Sequence, residues 1–280
     1  MILVTGITGQ LGYDVVRELE RRGEDFIGTT RKEIDLSTED GAKNFILKNK
    51  PEAVIHCAAY TAVDKAESEA ELALTVNGFG TRRMAEACRE IGAKMLFVST
   101  DYVFGGDGDS PYEVSDEKSP VNIYGKSKLL GEDAVNAIVR NHFIVRVSWV
   151  FGSNGKNFVK TMLNLGAKNK KVRVVSDQIG SPTYTADLAP LLVDMIHTDK
   201  YGIYHATNEG FCSWADFAKE IFKQAGLKTQ VENILTADYP TPAKRPFNSR
   251  LSKKSLDDAG FSRLPTWQDA VKRFLVASVK

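Results

Sequence analysis

Short apolar runs alternate with longer amphipathic stretches through the first half of the chain. The runs typical of strands are Ile2–Thr5, Phe26–Ile27, Ala53–His56, Met95–Ser99 and Phe143–Val147. Between the first two, Gln10–Arg22 has apolar residues at helical spacing and Gly23 just past its end, which predicts a helix. Apolar strands alternating with helices are typical of a parallel sheet covered on both faces. The pattern therefore predicts an α/β fold with a doubly wound parallel sheet.

After about Gly152 the alternation is less regular. Helices are predicted near Asn157–Ala167 and Ala186–His197, a strand near Val172–Val175, and a further helix that Ser213 opens with Asp216 as its capping partner. The prolines between Thr236 and Asn248 predict an extended surface loop. We therefore expect a first domain over residues 1–150, to which the chain returns around 172–200, and a smaller C-terminal α/β lobe made mainly of residues 151–280.

Composition and charge narrow the functional class. Apolar residues make up 42% and charged residues 26%, as expected of a chain that folds throughout. With 37 basic and 36 acidic residues and no long basic run, we expect no nucleic-acid partner. The three cysteines form no C-x-x-C pair, and no apolar stretch approaches the length of a membrane span. We expect a cytoplasmic protein without a disulfide framework or membrane association.

Three glycines follow the first strand directly. Gly6, Gly9 and Gly12 form G-I-T-G-Q-L-G and lead into the first helix. Glycines at such a turn let the backbone approach a pyrophosphate, whose charge is favoured at the helix N-terminus. The sequence thus predicts a Rossmann-type domain that binds a dinucleotide, and G-x-x-G-x-x-G points toward short-chain reductases. The alternative is a glycine turn in another kind of α/β protein.

The end of the second strand bears on the cofactor. Ile27 to Lys32 contains no acidic residue that could hold a ribose 2′-hydroxyl, whereas Arg31 could pair with a 2′-phosphate. This favours NADPH as the cofactor. The alternative is that Arg31 belongs to a solvated loop, and NADH therefore stays open. Asp35 and Leu36 follow where a carboxylate could accept from the adenine amino group and an apolar side chain could cover the ring.

Tyr124 and Lys128 lie four residues apart in Y-G-K-S-K, so a helix starting near Tyr124 would set both on one face. A neighbouring ammonium would lower the tyrosine pKa from about 10 toward neutrality and let Tyr124 give a proton to a carbonyl. Thr100 directly follows the predicted strand Met95–Ser99, at the strand end where ligands of open α/β sheets bind, and could hold that carbonyl. The alternative is that Ser99, Thr100 and Asp101 only cap a turn.

Small residues also follow the third strand. In His56-Cys57-Ala58-Ala59, the alanines would let the backbone pass close to the cofactor. No carboxylate partner is apparent for His56, which predicts a core residue and not a catalyst.

Together these residues resemble the extended short-chain dehydrogenase/reductases, and more narrowly the dTDP-4-dehydrorhamnose reductase family, over essentially the whole chain. The stretches that carry the narrower resemblance are Ala58–Glu67, Val98–Gly105, Pro120–Glu132, Arg146–Gly152, Asp177–Thr183 and Arg245–Leu251.

The resemblance implies a role for individual residues. It places Gly9, Gln10 and Leu11 at the pyrophosphate, Asp35 and Leu36 at the adenosine, Ala59, Tyr60 and Thr61 toward the nicotinamide, Thr100, Asp101 and Trp149 at the deoxysugar, and Arg245 in the substrate-binding lobe. Tyr124 and Lys128 would serve both the nicotinamide ribose and catalysis. Without the resemblance, Trp149 could be an aromatic lid over the core.

The resemblance also implies a reaction, a substrate and an assembly. The reaction would be reduction of the 4-keto group of dTDP-4-dehydro-L-rhamnose by NADPH or NADH, with the dTDP-sugar as small-molecule partner. A homodimer is compatible with it. Some family members dimerise around magnesium through acidic residues, but here only Asp14 and Asp187 fall in the matching region, so we predict no metal.

Two other functions stay open. A nucleotide-sugar epimerase or dehydratase would have the same fold, although dehydratases usually place Asp-Glu after the strand-end threonine, where this chain has Asp101-Tyr102. A non-catalytic NADP-binding protein similar to the regulatory subunit of methionine adenosyltransferase is the second. The intact Thr100, Tyr124 and Lys128 argue against it.

Overall fold

The computed structural model describes residues 1–278 and contains thirteen strands and eleven α-helices within them. The strands are β1 Ile2–Thr5, β2 Phe26–Thr29, β3 Ala53–His56, β4 Lys94–Thr100, β5 His142–Val147, β6 Val150–Phe151, β7 Lys171–Val175, β8 Ile179–Gly180, β9 Thr183–Tyr184, β10 Gly202–His205, β11 Cys212–Ser213, β12 Gln230–Ile234 and β13 Asn248–Ser249. The helices are α1 Gln10–Arg22, α2 Gly41–Asn49, α3 Val63–Ala66, α4 Ala70–Leu74, α5 Thr81–Ile91, α6 Ile123–Ile138, α7 Phe158–Lys168, α8 Thr185–Ile196, α9 Trp214–Gln224, α10 Lys254–Asp258 and α11 Trp267–Ser278.

Six strands form one parallel sheet in the order β10-β5-β4-β3-β1-β2. The chain winds outward from β1 in both directions, so the sheet is doubly wound and its order reverses between β1 and β3. The predicted α/β fold is therefore confirmed. Ligands of such sheets bind at the carboxyl ends of the strands beside the reversal, which is where the glycine turn follows β1.

Alternate residues of the central strands pack on opposite faces of the sheet. Val4, Ile55 and Val145 join a buried cluster with residues of α1 and α8. Their neighbours Leu3 and Val54 join a second cluster with residues of α2, α5 and α6. Because both faces are covered, these strands are apolar without interruption, which is why they are visible in the sequence.

The second half of the chain builds a lobe around a third cluster, which contains Phe151, Phe217 and Phe274. Three small sheets belong to this half: β12-β7, β11-β8-β13 and β6-β9. The expected cap of α9 is present, since the Ser213 hydroxyl accepts from the Asp216 amide at 3.0 Å and the Asp216 carboxylate accepts from the Ser213 amide at 3.3 Å.

The chain was expected to return to the large sheet around residues 172–200. Within that range, β7 pairs with β12 in the lobe, whereas α8 packs on α1. β10 then pairs with β5 at the sheet edge. The hydrophobic periodicity and the length of a segment do not show which sheet a short strand joins.

The proline-containing segment 236–248 is only partly the surface loop that its composition predicts. It opens with a short 3₁₀ turn over Thr236–Asp238 and buries Ala243 completely. Asn122, at the start of α6, donates to the Lys244 carbonyl at 2.9 Å. The segment therefore packs on the first domain. Within residues 1–278, no helix combines the length and the apolar character that a membrane span requires.

Candidate active site

A cavity of about 780 Å³ opens at the carboxyl ends of β1, β3 and β4. Every predicted site residue except Arg245 lines it. These residues are Gly6, Gly9, Gln10, Leu11, Gly12, Arg31, Asp35, Leu36, Ala58, Ala59, Tyr60, Thr61, Thr100, Asp101, Tyr124, Lys128 and Trp149. Residues as far apart as 6 and 149 along the chain thus share one cavity, although their individual roles stay predictions.

The backbone of the glycine turn can be approached closely by a ligand. Gly6 has φ +71°, and a Cβ at Gly12 would lie only 2.4 Å from the Gly6 carbonyl oxygen. Gly9 is the N-cap of α1 and offers no side-chain cap, so the amides of the first helical turn are left for a ligand. Unpaired amides and the helix dipole favour an anion there, which fits the pyrophosphate of a dinucleotide.

The predicted adenosine end lies at the exposed rim of the cavity. The Arg31 side chain is 74% exposed, and its Nε lies 3.3 Å from Asp35 Oδ2. Asp35 also accepts from the Ser37 hydroxyl at 2.6 Å and amide at 2.9 Å, and these bonds, with Arg31, lower the pKa of Asp35. A guanidinium at this rim is suited to a ribose 2′-phosphate.

The opposite end of the cavity holds the predicted catalytic residues. α6 begins at Asn122, whose side-chain oxygen accepts from the Gly125 amide at 2.8 Å, and it carries Tyr124 and Lys128 one turn apart. A Cβ at Gly125 would lie 2.2 Å from the Tyr102 carbonyl oxygen, so glycine lets α6 start against the turn that follows β4. Tyr124 is thereby placed close enough to Thr100 for the threonine side chain to influence the pKa of the phenol.

The ionisation of Tyr124 differs from the expectation. Burial raises the pKa of Tyr124, the Asp101 carboxylate raises it further, and the Thr100 side chain only partly opposes this. Lys128 does not lower it, because its ammonium donates to the Val98 carbonyl at 2.7 Å and lies 3.9 Å from the Phe97 ring centroid. The phenol therefore stays protonated at neutral pH, as a proton donor must.

Lys128 itself is buried in the floor of the cavity, with 2% of the residue exposed. Burial lowers the pKa of this ammonium to about 7, with Glu132 opposing the shift. A lysine whose pKa lies near neutrality can donate a hydrogen bond to a neighbouring hydroxyl or exchange a proton with it.

Asp101 follows Thr100 and is equally buried. Its Oδ1 accepts from the Thr100 hydroxyl at 3.0 Å, while burial raises the pKa of this carboxyl to about 6. Tyr124, Thr100 and Asp101 thus lie side by side, and the bond to Asp101 orients the Thr100 hydroxyl.

Two indole rings form another part of the cavity wall. Trp149 stacks on Trp214, with centroids 3.7 Å apart and planes at 14°. Trp149 has φ +50°, and a Cβ at Gly180 would lie 2.8 Å from its ring. A left-handed backbone and a glycine neighbour therefore place this ring. Trp214 lies 65 residues further along the chain and carries no motif, so sequence analysis missed it.

Arg245 is the predicted site residue that the structure does not bring into the cavity. Its Nη2 lies 2.7 Å from Asp64 Oδ2. Burial raises the pKa of Tyr102, which does line the cavity, and the charge of Arg245 partly opposes this rise. Arg245 is thus paired with Asp64 outside the cavity lining, and its role at the substrate stays a prediction.

His56 is a core residue, as predicted. Its Nδ1 lies 2.7 Å from the Thr5 hydroxyl and its Nε2 lies 3.2 Å from the Thr81 hydroxyl, and burial lowers the pKa of His56 to about 3. The Thr5 hydroxyl also accepts from the Ala58 amide at 3.1 Å. The neutral imidazole thus fixes the backbone that passes the cavity at Ala58.

Sequence analysis also missed a buried asparagine. Asn77 accepts from the Tyr60 amide at 2.8 Å and donates to the Tyr60 carbonyl at 3.0 Å and to the Ser127 hydroxyl at 2.9 Å. It therefore ties the strand-end backbone to α6. A polar residue in an otherwise apolar helical stretch, V-N-G-F-G, is the signal that could have found it.

The two acidic residues considered for a metal both have protein partners. Asp14 accepts a hydrogen bond from Thr185, and Asp187 pairs with Arg273 and accepts from Asn208. In the part of the chain that the structure describes, no cluster of three His, Cys, Asp or Glu side chains has the arrangement of a metal site.

A doubly wound parallel sheet, a glycine turn at its order reversal and a Tyr-Lys pair one helical turn apart define an NAD(P)H-dependent oxidoreductase of the short-chain dehydrogenase/reductase class. More narrowly, residues 1–279 match the family described as RmlD substrate binding domain, and the chain belongs to this family.

Similar proteins cover the chain almost completely. The spore coat polysaccharide biosynthesis protein SpsK of Bacillus subtilis is 40% identical over 98% of this chain and 96% of its own. A dTDP-4-dehydrorhamnose reductase of Mycolicibacterium smegmatis is 40% identical over 99% of this chain and 86% of its own. The solved structure of a dTDP-4-dehydrorhamnose reductase of Bacillus anthracis in complex with NADP has a TM-score of 0.96 at 41% identity, covering 99% of this chain and 98% of that one.

Proposed function

We propose that this protein reduces the 4-keto group of dTDP-4-dehydro-L-rhamnose and releases dTDP-L-rhamnose, with NADPH or NADH as reductant. The observation that carries the proposal is the protonated Tyr124 beside Thr100 in the same cavity as the glycine turn. Relatives at about 40% identity over nearly the whole chain are named dTDP-4-dehydrorhamnose reductases. The similarity to SpsK supports a place in polysaccharide biosynthesis.

The side chains at the catalytic end divide the work of the reduction. A bound NAD(P)H supplies a hydride to C4. The Thr100 hydroxyl exchanges its hydrogen bond to Asp101 for one to the C4 oxygen. Tyr124 donates its phenolic proton to that oxygen, so that a carbonyl becomes an alcohol. Lys128 holds the ribose hydroxyls and exchanges protons with them, which its pKa of about 7 allows. Solvent protons then restore the phenol.

The substrate side of the proposal rests on Trp149, Trp214 and Asp101. Stacked indoles offer a flat apolar surface suited to the methyl-bearing face of a 6-deoxysugar. Asp101 accepts hydrogen bonds and suits a sugar hydroxyl. Arg245 lies beside Tyr102 and adds positive charge next to this part of the site. On the cofactor side, Arg31 favours NADPH over NADH through the 2′-phosphate.

The test is a purified-protein assay that follows the loss of nicotinamide absorbance with dTDP-4-dehydro-L-rhamnose and identifies the product by mass and NMR. We expect stoichiometric oxidation of NADPH and formation of dTDP-L-rhamnose. Conversion of a nucleotide sugar without net consumption of NADPH would identify an epimerase or dehydratase instead. Tight binding of NADPH without any turnover would identify a non-catalytic NADP-binding protein.

A further inference from the structure

A loop from the second half of the chain contacts the glycine turn. We call residues 153–157 the lobe loop; it connects β6 to α7. Asn154 Nδ2 donates to the Thr8 carbonyl at 2.8 Å and to the Gly9 carbonyl at 3.2 Å. Asn157 Nδ2 donates to Gln10 Oε1 at 3.0 Å. The loop therefore engages acceptor groups of the turn and uses none of the amide donors of the first turn of α1.

Contacts on its own side hold the lobe loop in shape. Asn157 Oδ1 accepts from the Lys160 amide at 3.0 Å and caps α7. Lys160 Nζ donates to the Ser153 carbonyl at 2.6 Å and to the Gly155 carbonyl at 2.9 Å, and Gly155 has φ +69°. The conformation of the loop tip is thus fixed by contacts within the lobe.

Lys156 lies at this tip and differs from Lys160 in its surroundings. It is exposed and lines the cavity together with Gly155, Gly9 and Gln10. Among residues 1–278, no carboxylate lies within ion-pair distance of its ammonium and no hydrogen bond uses it. An unpaired cation therefore lies on the loop that contacts the glycine turn, and it lines the same cavity as the N-terminus of α1, where an anion is favoured.

We propose that Lys156 binds the pyrophosphate of the dinucleotide, so that the lobe loop and the glycine turn hold the anion from two sides. This inference rests on the proposed use of NADPH or NADH. The pyrophosphate is common to both cofactors, so Lys156 strengthens both equally. Arg31, at the far rim, acts only on the 2′-phosphate. The lobe thereby takes part in cofactor binding as well as substrate binding.

The test measures dissociation constants of NADPH and NADH by fluorescence titration for Lys156→Met at low and high salt. We expect both constants to rise about 5- to 20-fold at low salt with their ratio unchanged, and the difference from wild type to shrink at high salt. Lys156→Arg should keep most of the affinity. Lys170→Met, an equal charge change at an exposed lobe position outside the cavity, should bind like wild type.

The outcomes separate this inference from the proposed function. If wild-type protein binds neither cofactor, the proposed function fails. If wild type binds and Lys156→Met binds both cofactors equally well, Lys156 does not contact the ligand and the inference is overturned. A loss confined to NADPH would also overturn it, because Lys156 would then bind the 2′-phosphate.

Discussion

The two ends of the cavity solve different physical problems. At the catalytic end, Thr100, Asp101 and Lys128 are 6%, 4% and 2% exposed and are fixed by hydrogen bonds to one another or to the strand backbone. At the adenosine end, the Arg31 and Asp35 side chains are 74% and 34% exposed. Water screens the exposed pair, whereas the buried groups act on each other at low dielectric.

This difference separates chemistry from selectivity. Proton transfer needs groups whose pKa values and directions are fixed before the substrate arrives, and burial provides both. Recognition of a 2′-phosphate needs only a cation at the rim, and its energy is modest because solvent competes. Substitutions at the catalytic end should therefore have large effects, and those at the adenosine end small ones.

The largest effect is expected for Tyr124→Phe. Loss of the phenolic proton should lower kcat by about 10²–10⁴-fold, while NADPH binding changes little because the ring remains. Steady-state kinetics and cofactor titration measure the two effects separately. Tyr13→Phe, at an exposed tyrosine outside the cavity, is the matched control. Turnover close to wild type in Tyr124→Phe would show that another group is the acid.

A large effect on stability is expected for Arg146→Met, beneath the catalytic end. Arg146 is fully buried and makes two bonds to the Glu132 carboxylate, at 2.7 and 2.9 Å. Glu132 lies one turn after Lys128 on α6. Removing the cation leaves a buried carboxylate unpaired, which should lower the free energy of unfolding by about 3–5 kcal/mol.

Denaturant unfolding measures that loss, and Arg82→Met is its control. Arg82 forms an exposed pair with Glu86 at 3.0 Å, and its loss should lower the free energy of unfolding by less than about 1 kcal/mol. Equal effects of the two substitutions would mean that Glu132 finds another partner or takes up a proton. The contrast between buried and exposed groups would then not hold for ion pairs.

The parts of the cavity also differ in how well they could be predicted from the sequence. The glycine turn and the Tyr124-Lys128 pair were predictable because each depends on spacing within one strand-turn-helix or one helical turn. The lobe loop, Trp214 and the Asp64-Arg245 pair were not, because they join residues far apart that have no periodic signal. Local sequence motifs thus predict some of the residues that line the cavity, whereas others are brought there only by tertiary contacts.

The pKa of Tyr124 shows a second limit of prediction from the sequence. The lysine four residues on was visible, and it suggested a lowered pKa. What decides the direction is burial of the phenol and the Asp101 carboxylate, with the Lys128 ammonium turned to the Val98 carbonyl. Burial depends on how α6 packs against the end of β4, which no spacing within α6 encodes.

A smaller effect of opposite sign is expected for Asp101→Asn. The pKa of Asp101 is about 6 in the folded protein against an ordinary 3.8, so folding favours its protonated form. This contribution is fully present below pH 3.8 and is lost as pH rises through 6. Asparagine carries no charge and avoids the loss. The variant should therefore be more stable than wild type by about 1–3 kcal/mol at pH 7, with less activity.

Thermal unfolding at several pH values tests this expectation. The gap between variant and wild type should open between pH 4 and pH 6 and stay constant above. Asp109→Asn, at an exposed aspartate, should show no such gap. A variant less stable than wild type at pH 7 would mean that hydrogen bonds to the carboxylate outweigh its burial.

The smallest effect is expected at the adenosine end. Arg31→Ala should weaken NADPH binding about 3- to 10-fold and leave NADH binding unchanged, because only NADPH carries the 2′-phosphate and water screens the contact. Lys32→Ala removes the same charge from the next residue, which does not line the cavity, and should alter neither constant. Equal loss with both cofactors would place Arg31 against a group that the two share. The exposed rim would then serve affinity, and selectivity between the cofactors would have to come from the adenosine contacts that follow it along the chain.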